Sequence, residues 1–157
     1  MSLKEKLIKL SEEKKNHDIN WDEIREKWIK NTSELYETIK EWFRELIDEG
    51  YMKITTREIS ISESNIGSYN IDRLYIDLSG PVLILNPFAR MIIGGKGRID
   101  VYFRGNVSEK VMLILSEEDP PEWELWKSKD LRNMVPFNKA NFENYIEDFI
   151  SNFPSNP

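Results

Sequence analysis

The chain has 157 residues, a length that fits one domain able to bury its own hydrophobic core. It contains no cysteine, which excludes disulfides, thiolate catalysis and zinc–thiolate sites, and we expect a cytoplasmic protein because such a composition suits a reducing compartment. The net charge of −6 disfavours non-specific binding to nucleic acid, and only residues 51–116, with 8 basic and 6 acidic side chains, carry a basic excess.

The N-terminal third of the chain has the hydrophobic period of helices. Three leucines recur at helical spacing within residues 3–10, on a segment otherwise rich in lysine and glutamate. Asn20 is a good N-cap for a second, stronger stripe, and Gly50 is a natural terminator. The spacing predicts a helix over 21–49 that is either continuous or divided at the sequence NTSE (31–34), which offers another cap.

Neither a secretory signal nor a membrane span is predicted. The charged N-terminus lacks the apolar core of a signal peptide. The longest nearly apolar run, 81–93, is shorter than the roughly 20 residues that a membrane helix needs. We therefore expect no association with a membrane.

From residue 51 onward the hydrophobic period changes to two, which is typical of β-strands. Within 52–61, and again within 69–78, the apolar residues change parity, and a bulge or bend near 56–58 would explain the change. Further strands are predicted at 82–85, 98–104, 110–115 and 123–129, with a short one at 134–137. Because no helix is predicted between these strands, we expect an antiparallel meander of about five to six strands.

The order of the elements predicts a single α+β domain. Its parts are a helical segment at 1–50, an antiparallel sheet at 51–137 and a C-terminal helix at 138–152 that begins at the N-cap Asn138. The helices should pack on one face of the sheet, and the tail at 153–157 should fray.

The segment MIIGGKGRID, residues 91–100, has three glycines within four residues. A phosphate-binding loop of the P-loop type needs Lys-Ser or Lys-Thr followed by a helix, whereas here the lysine precedes a glycine and a strand. A chain reversal between strands explains the glycines, because tight turns need positive φ. The alternative is an anion site for a nucleotide or nucleic acid, formed by the cationic residues around this turn: Arg90, Lys96, Arg98 and Arg104.

No catalytic set is recognisable in the sequence. His17 is the only histidine, and it lies in a polar segment where a capping or solvent-exposed role is expected. The acidic loop at 117–122 has the composition of solvated carboxylates rather than of a metal site. We expect a protein that is not an enzyme and that needs neither a metal nor a cofactor.

The tryptophans are the main indication of a partner. Trp123 and Trp126 have opposite parity on one predicted strand, so one should face the core and the other should not, unless the helices cover both. An exposed tryptophan beside acidic residues is typical of a protein-contact hot spot. Trp28 belongs to a helical stripe that suits either the core or a dimer seam. These residues favour a non-enzymatic protein–protein interaction module, whose partner is another protein or a second copy of this chain.

Overall fold

The computed structural model of the chain describes residues 2–16, 19–127 and 131–152. Its helices within these residues are α1 (Leu3–Asn16), α2 (Trp21–Trp42), α3 (Arg44–Asp48) and α4 (Lys139–Ser151). Its strands are β1 (Lys53–Glu63), β2 (Gly67–Asp77), β3 (Val82–Ala89), β4 (Arg98–Phe103), β5 (Val111–Leu115), β6 (Trp123–Trp126) and β7 (Met134–Pro136). Short 3-10 turns lie at Val107–Glu109 and Leu131–Asn133.

The strands form one antiparallel sheet in chain order, from β1 to β7, so the predicted α+β meander is confirmed. The sheet has seven strands rather than the five to six that were predicted. The seventh strand is β7, which lies within the short strand predicted at 134–137 and pairs through Met134 with Trp126 of β6. Three residues carry little periodic pattern of their own, and the neighbouring strand supplies the pairing.

Helix α2 passes through residues 31–34 without interruption. The polar NTSE sequence does not end the helix, because Thr32 lies on its buried face and is 1 % exposed. Asn20 caps the helix as predicted, since its side chain accepts a hydrogen bond from the backbone three residues on. The helical run is divided instead at Phe43, whose ring lies 5.9 Å from the ring of Phe142 in the core.

Helices α2 and α4 pack on one face of the sheet, as predicted. One buried cluster joins Trp28 and Ile39 of α2, Leu85 and Val101 of the central strands, and Phe142 of α4. The alternate side chains of the central strands point to the opposite face, which we call the outer face and define by Tyr75, Ile84, Tyr102, Met112, Trp126 and Met134.

The long β1–β2 hairpin changes its buried parity without a bulge. Every residue of β1 pairs with one of β2 in an unbroken register, so the bulge considered near 56–58 is absent. Leu74 and Ile76 are buried with one parity, whereas Tyr69 and Ile71 are buried with the other. β3 pairs only with the last four residues of β2, so the rest of the hairpin is a two-stranded ribbon. Such ribbons twist more strongly than larger sheets, and this twist turns Tyr69 toward α2.

Candidate functional site

The glycine-rich segment is a chain reversal between β3 and β4, as its glycines predicted. Gly94 at its tip has a φ of +87°. Beyond the tip, the backbone lies against β5, where the Lys96 N–H donates to the Leu115 carbonyl at 2.6 Å and the Leu115 N–H donates to the Gly97 carbonyl at 3.0 Å. A β-carbon on Gly97 would overlap the ring of Trp28, so this glycine is required by packing as well as by φ.

A carboxylate of the hairpin holds the start of this segment. Glu63 accepts hydrogen bonds from the backbone N–H groups of Arg90 (3.0 Å) and Met91 (2.9 Å). It also accepts one from the Tyr69 hydroxyl at 2.5 Å, and that hydroxyl accepts from the Trp28 indole N–H at 3.2 Å. Burial and the neighbouring Glu63 raise the pKa of Tyr69 above its ordinary value, so the hydroxyl keeps its proton and donates it. This network fixes the backbone at Arg90 relative to α2.

Two of the four cationic residues of the predicted anion site lie on the outer face. Arg98 places its Nε 2.8 Å from the buried carboxylate of Asp100, and its guanidinium lies 4.3 Å from the centre of the Phe88 ring. Arg104 lies 5.9 Å from the centre of the Tyr75 ring. Arg98 begins β4 and Arg104 directly follows it, so six residues of extended chain, about 20 Å, separate the two arginines. They are therefore too far apart to hold one small anion.

Arg90 and Lys96 lie instead on the helical side, in a cleft of about 390 Å³ between the glycine-rich segment and α2. The charged side chains that line this cleft are Lys27, Lys30, Glu34, Arg90, Lys96 and Asp119. The sequence did not single out the two lysines of α2, although their i,i+3 spacing places them on one side of the helix. The structure thus divides the four predicted residues into two pairs and adds Lys27 and Lys30 to one of them.

The cationic side chains of the cleft differ in how far they are neutralised. Lys27 pairs with Glu23 at 3.0 Å, and Lys30 lies 3.8 Å from Glu34. The guanidinium of half-buried Arg90 makes no hydrogen bond or ion pair with any residue that the structure describes. Burial lowers the pKa of Arg90 below its ordinary value, although an arginine remains charged at neutral pH. The cleft therefore contains a partly desolvated positive charge that interacts electrostatically with Glu63 but forms no direct ion pair with a described residue.

The three tryptophans proposed as protein contacts lie in different environments. Trp28 is 1 % exposed, so its ring is not accessible to a partner in this structure. Trp123 packs against the core, with its ring 6.1 Å from that of Trp28. Trp126 lies on the outer face between Met112 and Met134, so the opposite orientation predicted for the two residues of β6 is confirmed. A contact of Trp123 or Trp126 with a partner stays a prediction.

Helix α1 carries an apolar stripe that is not part of the core. The exposed fractions of Leu3, Leu7 and Leu10 are 73 %, 56 % and 61 %. Every α1 residue from Leu3 to Glu13 is exposed. Isolated helices of about this length are marginal in water, because most helical stability in proteins comes from packing of the apolar face. The stripe is therefore a candidate contact surface.

A second apolar surface lies where α3 and α4 meet. We call it the α3–α4 groove; it has a volume of about 320 Å³. Its apolar lining consists of Phe43, Leu46, Tyr51, Met52, Leu78, Ile146 and Ile150. Glu143 and Glu147 of α4 border it. Leu46, Tyr51 and Ile150 are exposed, so the groove presents apolar side chains to solvent.

Other predicted features give no further site. His17 and the tail at 153–157 lie outside the residues that the structure describes. Among the described residues, no three acidic or histidine side chains are grouped so that they could hold a metal ion. No helix in this part of the chain is long and apolar enough to cross a bilayer. Comparisons with protein families, with curated proteins and with solved structures give no match.

Proposed function

We propose that this chain is a non-enzymatic protein-interaction module that binds a second copy of itself. The leucine stripe of α1 docks in the α3–α4 groove of the second copy. The exposure of Leu3, Leu7 and Leu10 is the observation that carries the proposal, because an amphipathic helix gains most of its stability when its apolar face is covered. A cysteine-free composition suits the cytoplasm, where we place this activity.

Charge complementarity supports the pairing of these two surfaces. At about 100° per residue, Lys4 and Lys6 flank the leucine stripe on either side. The groove is bordered by Glu143 and Glu147. Glu143 lies 3.8 Å from Lys139, whereas Glu147 makes no ion pair with the residues that the structure describes. Opposite charges at the rim of an interface favour the correct orientation of the partners.

Chain length argues that the groove belongs to another copy. α2 has 22 residues, so Phe43 lies about 33 Å from the start of that helix. The segment from Asn16 to Trp21 spans at most about 18 Å, and Leu7 lies about 14 Å further along α1. Even with the connecting segment fully extended, Leu7 therefore comes only about level with Phe43 at the near edge of the groove, so docking within one chain would require full extension of that segment, whereas docking in a second copy would not. Reciprocal docking of two chains would close a two-fold dimer.

Sedimentation equilibrium of the full chain tests the proposal. The wild-type protein is expected to be a dimer in the micromolar range. Leu7→Asp combined with Leu10→Asp, and separately Leu46→Asp in the groove, should give monomers because each places a charge in the apolar contact. Ile93→Asp is the matched control, since it changes a fully exposed apolar residue at the tip of the glycine-rich segment. This control should remain a dimer.

Mixing the variants distinguishes docking from misfolding. The α1 double variant retains an intact groove and Leu46→Asp retains an intact stripe, so their mixture should regain a dimer through one of the two contacts. A wild-type protein that stays monomeric would overturn the proposal. The proposal would also be overturned if Trp126→Ala dissociated the dimer while the α1 double variant remained dimeric. That result would place the contact on the outer face.

A further inference from the structure

We infer that the side of α2 facing the glycine-rich segment forms a binding groove for a nucleoside monophosphate. The phosphate would lie at Arg90 and Lys96, and the base would lie against the aromatic side chains at the other end. This inference is independent of the proposed self-association, because its residues line neither the leucine stripe nor the α3–α4 groove.

The groove consists of two adjoining clefts along α2. The cleft at Arg90 adjoins a second cleft of about 470 Å³, and the two share the lining residues Asn31, Glu34, Leu115 and Pro121. Lys27 lies at one end of this combined groove and Trp42 at the other. A mononucleotide is shorter than the roughly 22 Å of helix between these residues, so it would lie across the junction of the two clefts, where the Trp123 ring is 6.1 Å from the ring of Trp28 in the lining of the first cleft. We call the two parts the basic end and the aromatic end.

The basic end matches the charge of a phosphate monoester. Its lining has four cationic and two acidic side chains, an excess of two positive charges in a protein whose net charge is −6. A phosphate monoester carries close to two negative charges at neutral pH. The guanidinium of half-buried Arg90 interacts with Glu63 electrostatically but makes no hydrogen bond with a described residue, so its N–H groups can form the paired hydrogen bonds by which a guanidinium binds phosphate. Among the described residues, the Lys96 ammonium group donates only to the Glu118 carbonyl, at 3.3 Å, and forms no ion pair.

The aromatic end provides planar side chains and hydrogen-bonding groups. Trp42, Trp123 and Phe137 line it, together with the polar side chains of Asn31 and Thr38. Trp42 is held by its contact with Phe137, whose ring lies 5.3 Å away. Aromatic rings that are already packed can stack on a base without ordering new side chains.

The charges at the aromatic end disfavour binding of a nucleic-acid strand. The lining of this end contains no lysine or arginine among the described residues, whereas Glu34 and Glu122 both lie there. A strand that continued along the groove would bring further phosphates beside these carboxylates, at an electrostatic cost. A ligand with one phosphate at one end and one ring at the other avoids this cost, so a mononucleotide fits better than a polymer.

Titration of the full chain, followed by the indole N–H resonances of tryptophan, tests the inference. The probes are the four ribonucleoside monophosphates, their nucleosides, inorganic phosphate and a single-stranded DNA oligonucleotide. At least one monophosphate should bind and shift the Trp123 resonance. It should bind at least about tenfold more tightly than its nucleoside, inorganic phosphate or the oligonucleotide, because only the monophosphate contacts both the basic end and the aromatic end. The double variant Lys27→Gln with Lys96→Gln should weaken binding of the monophosphate by about tenfold and leave the affinity for the nucleoside unchanged.

Arg98→Gln with Arg104→Gln is the matched control, because it removes the same charge from the outer face. This variant should bind as the wild type does. Arg90→Gln should weaken monophosphate binding even more, and its amide spectrum shows whether it is folded. Absence of monophosphate binding in the millimolar range, equal loss in the control, or tighter binding of inorganic phosphate or the oligonucleotide would each overturn the inference.

Discussion

Gly97 is the residue at which the glycine-rich segment meets the helical layer. Its φ of +151° is one that side chains rarely adopt, and a β-carbon there would overlap the buried ring of Trp28. We predict that Gly97→Ala lowers the free energy of unfolding by about 3 kcal/mol, because a ring in the core has little room to move. Urea denaturation followed by tryptophan fluorescence measures this change.

Gly94→Ala is the control for backbone strain alone. Gly94 also has a positive φ, but nothing lies within 4 Å of the position of an added β-carbon. Its substitution should therefore cost only about 1 kcal/mol, from the left-handed conformation itself. Equal losses in the two variants would contradict the view that Trp28 confines the segment at Gly97.

At the scale of elements, a single carboxylate connects the β1–β2 hairpin to the glycine-rich segment. Glu63 accepts the N–H groups of Arg90 and Met91. We predict that Glu63→Ala increases the hydrogen-exchange rates of these two amides by about tenfold, because each loses its acceptor. Exchange followed by NMR measures the rates. Glu58→Ala, an exposed carboxylate of the same strand, should leave both rates unchanged, and acceleration by this control would contradict the assigned role of Glu63.

Elements whose signals are local were predictable from the sequence. Asn20 and Asn138 both accept a hydrogen bond from the backbone three residues on, as their positions before apolar stripes indicated. The alternation along β6 likewise separated Trp123 from Trp126. Each of these features depends on a few neighbouring residues, so a single stretch of sequence contains the information.

Features that depend on distant segments were not predictable in the same way. The parity change in the β1–β2 hairpin suggested a bulge or a bend. The unbroken register excludes the bulge, and we attribute the change to the twist that the ribbon adopts where no third strand pairs with it. The anion site was assembled from residues close in sequence, whereas the structure separates Lys96 from Arg98 across the sheet. It brings Lys96 near Lys27 and Lys30, which precede it by more than 60 residues in the sequence. No local pattern encodes such an approach.

At the scale of the whole molecule, the pKa values of three tyrosines depend on the packing of the helices against the sheet. Tyr36 belongs to α2, Tyr69 to β2 and Tyr145 to α4. Burial, with a smaller contribution from Glu109, raises the pKa of Tyr145 to about 12. Burial also raises the pKa values of Tyr36 and Tyr69 above the ordinary value of 10.0. All three phenols are therefore held in their neutral form by the fold.

We predict that the protein loses stability as the pH rises above 10.0, the ordinary pKa of tyrosine. The folded state binds the phenolic protons more tightly than the unfolded state, so this stability is fully present below that pH and is lost as the pH rises toward the folded-state values. Absorbance of phenolate and far-ultraviolet circular dichroism, recorded together, should show these groups ionising as the structure unfolds. Tyr145→Phe should weaken the pH dependence of stability between 10.0 and about 12, because it removes one of the linked protons. Complete ionisation of all tyrosines with unchanged dichroism would contradict their burial in a common core.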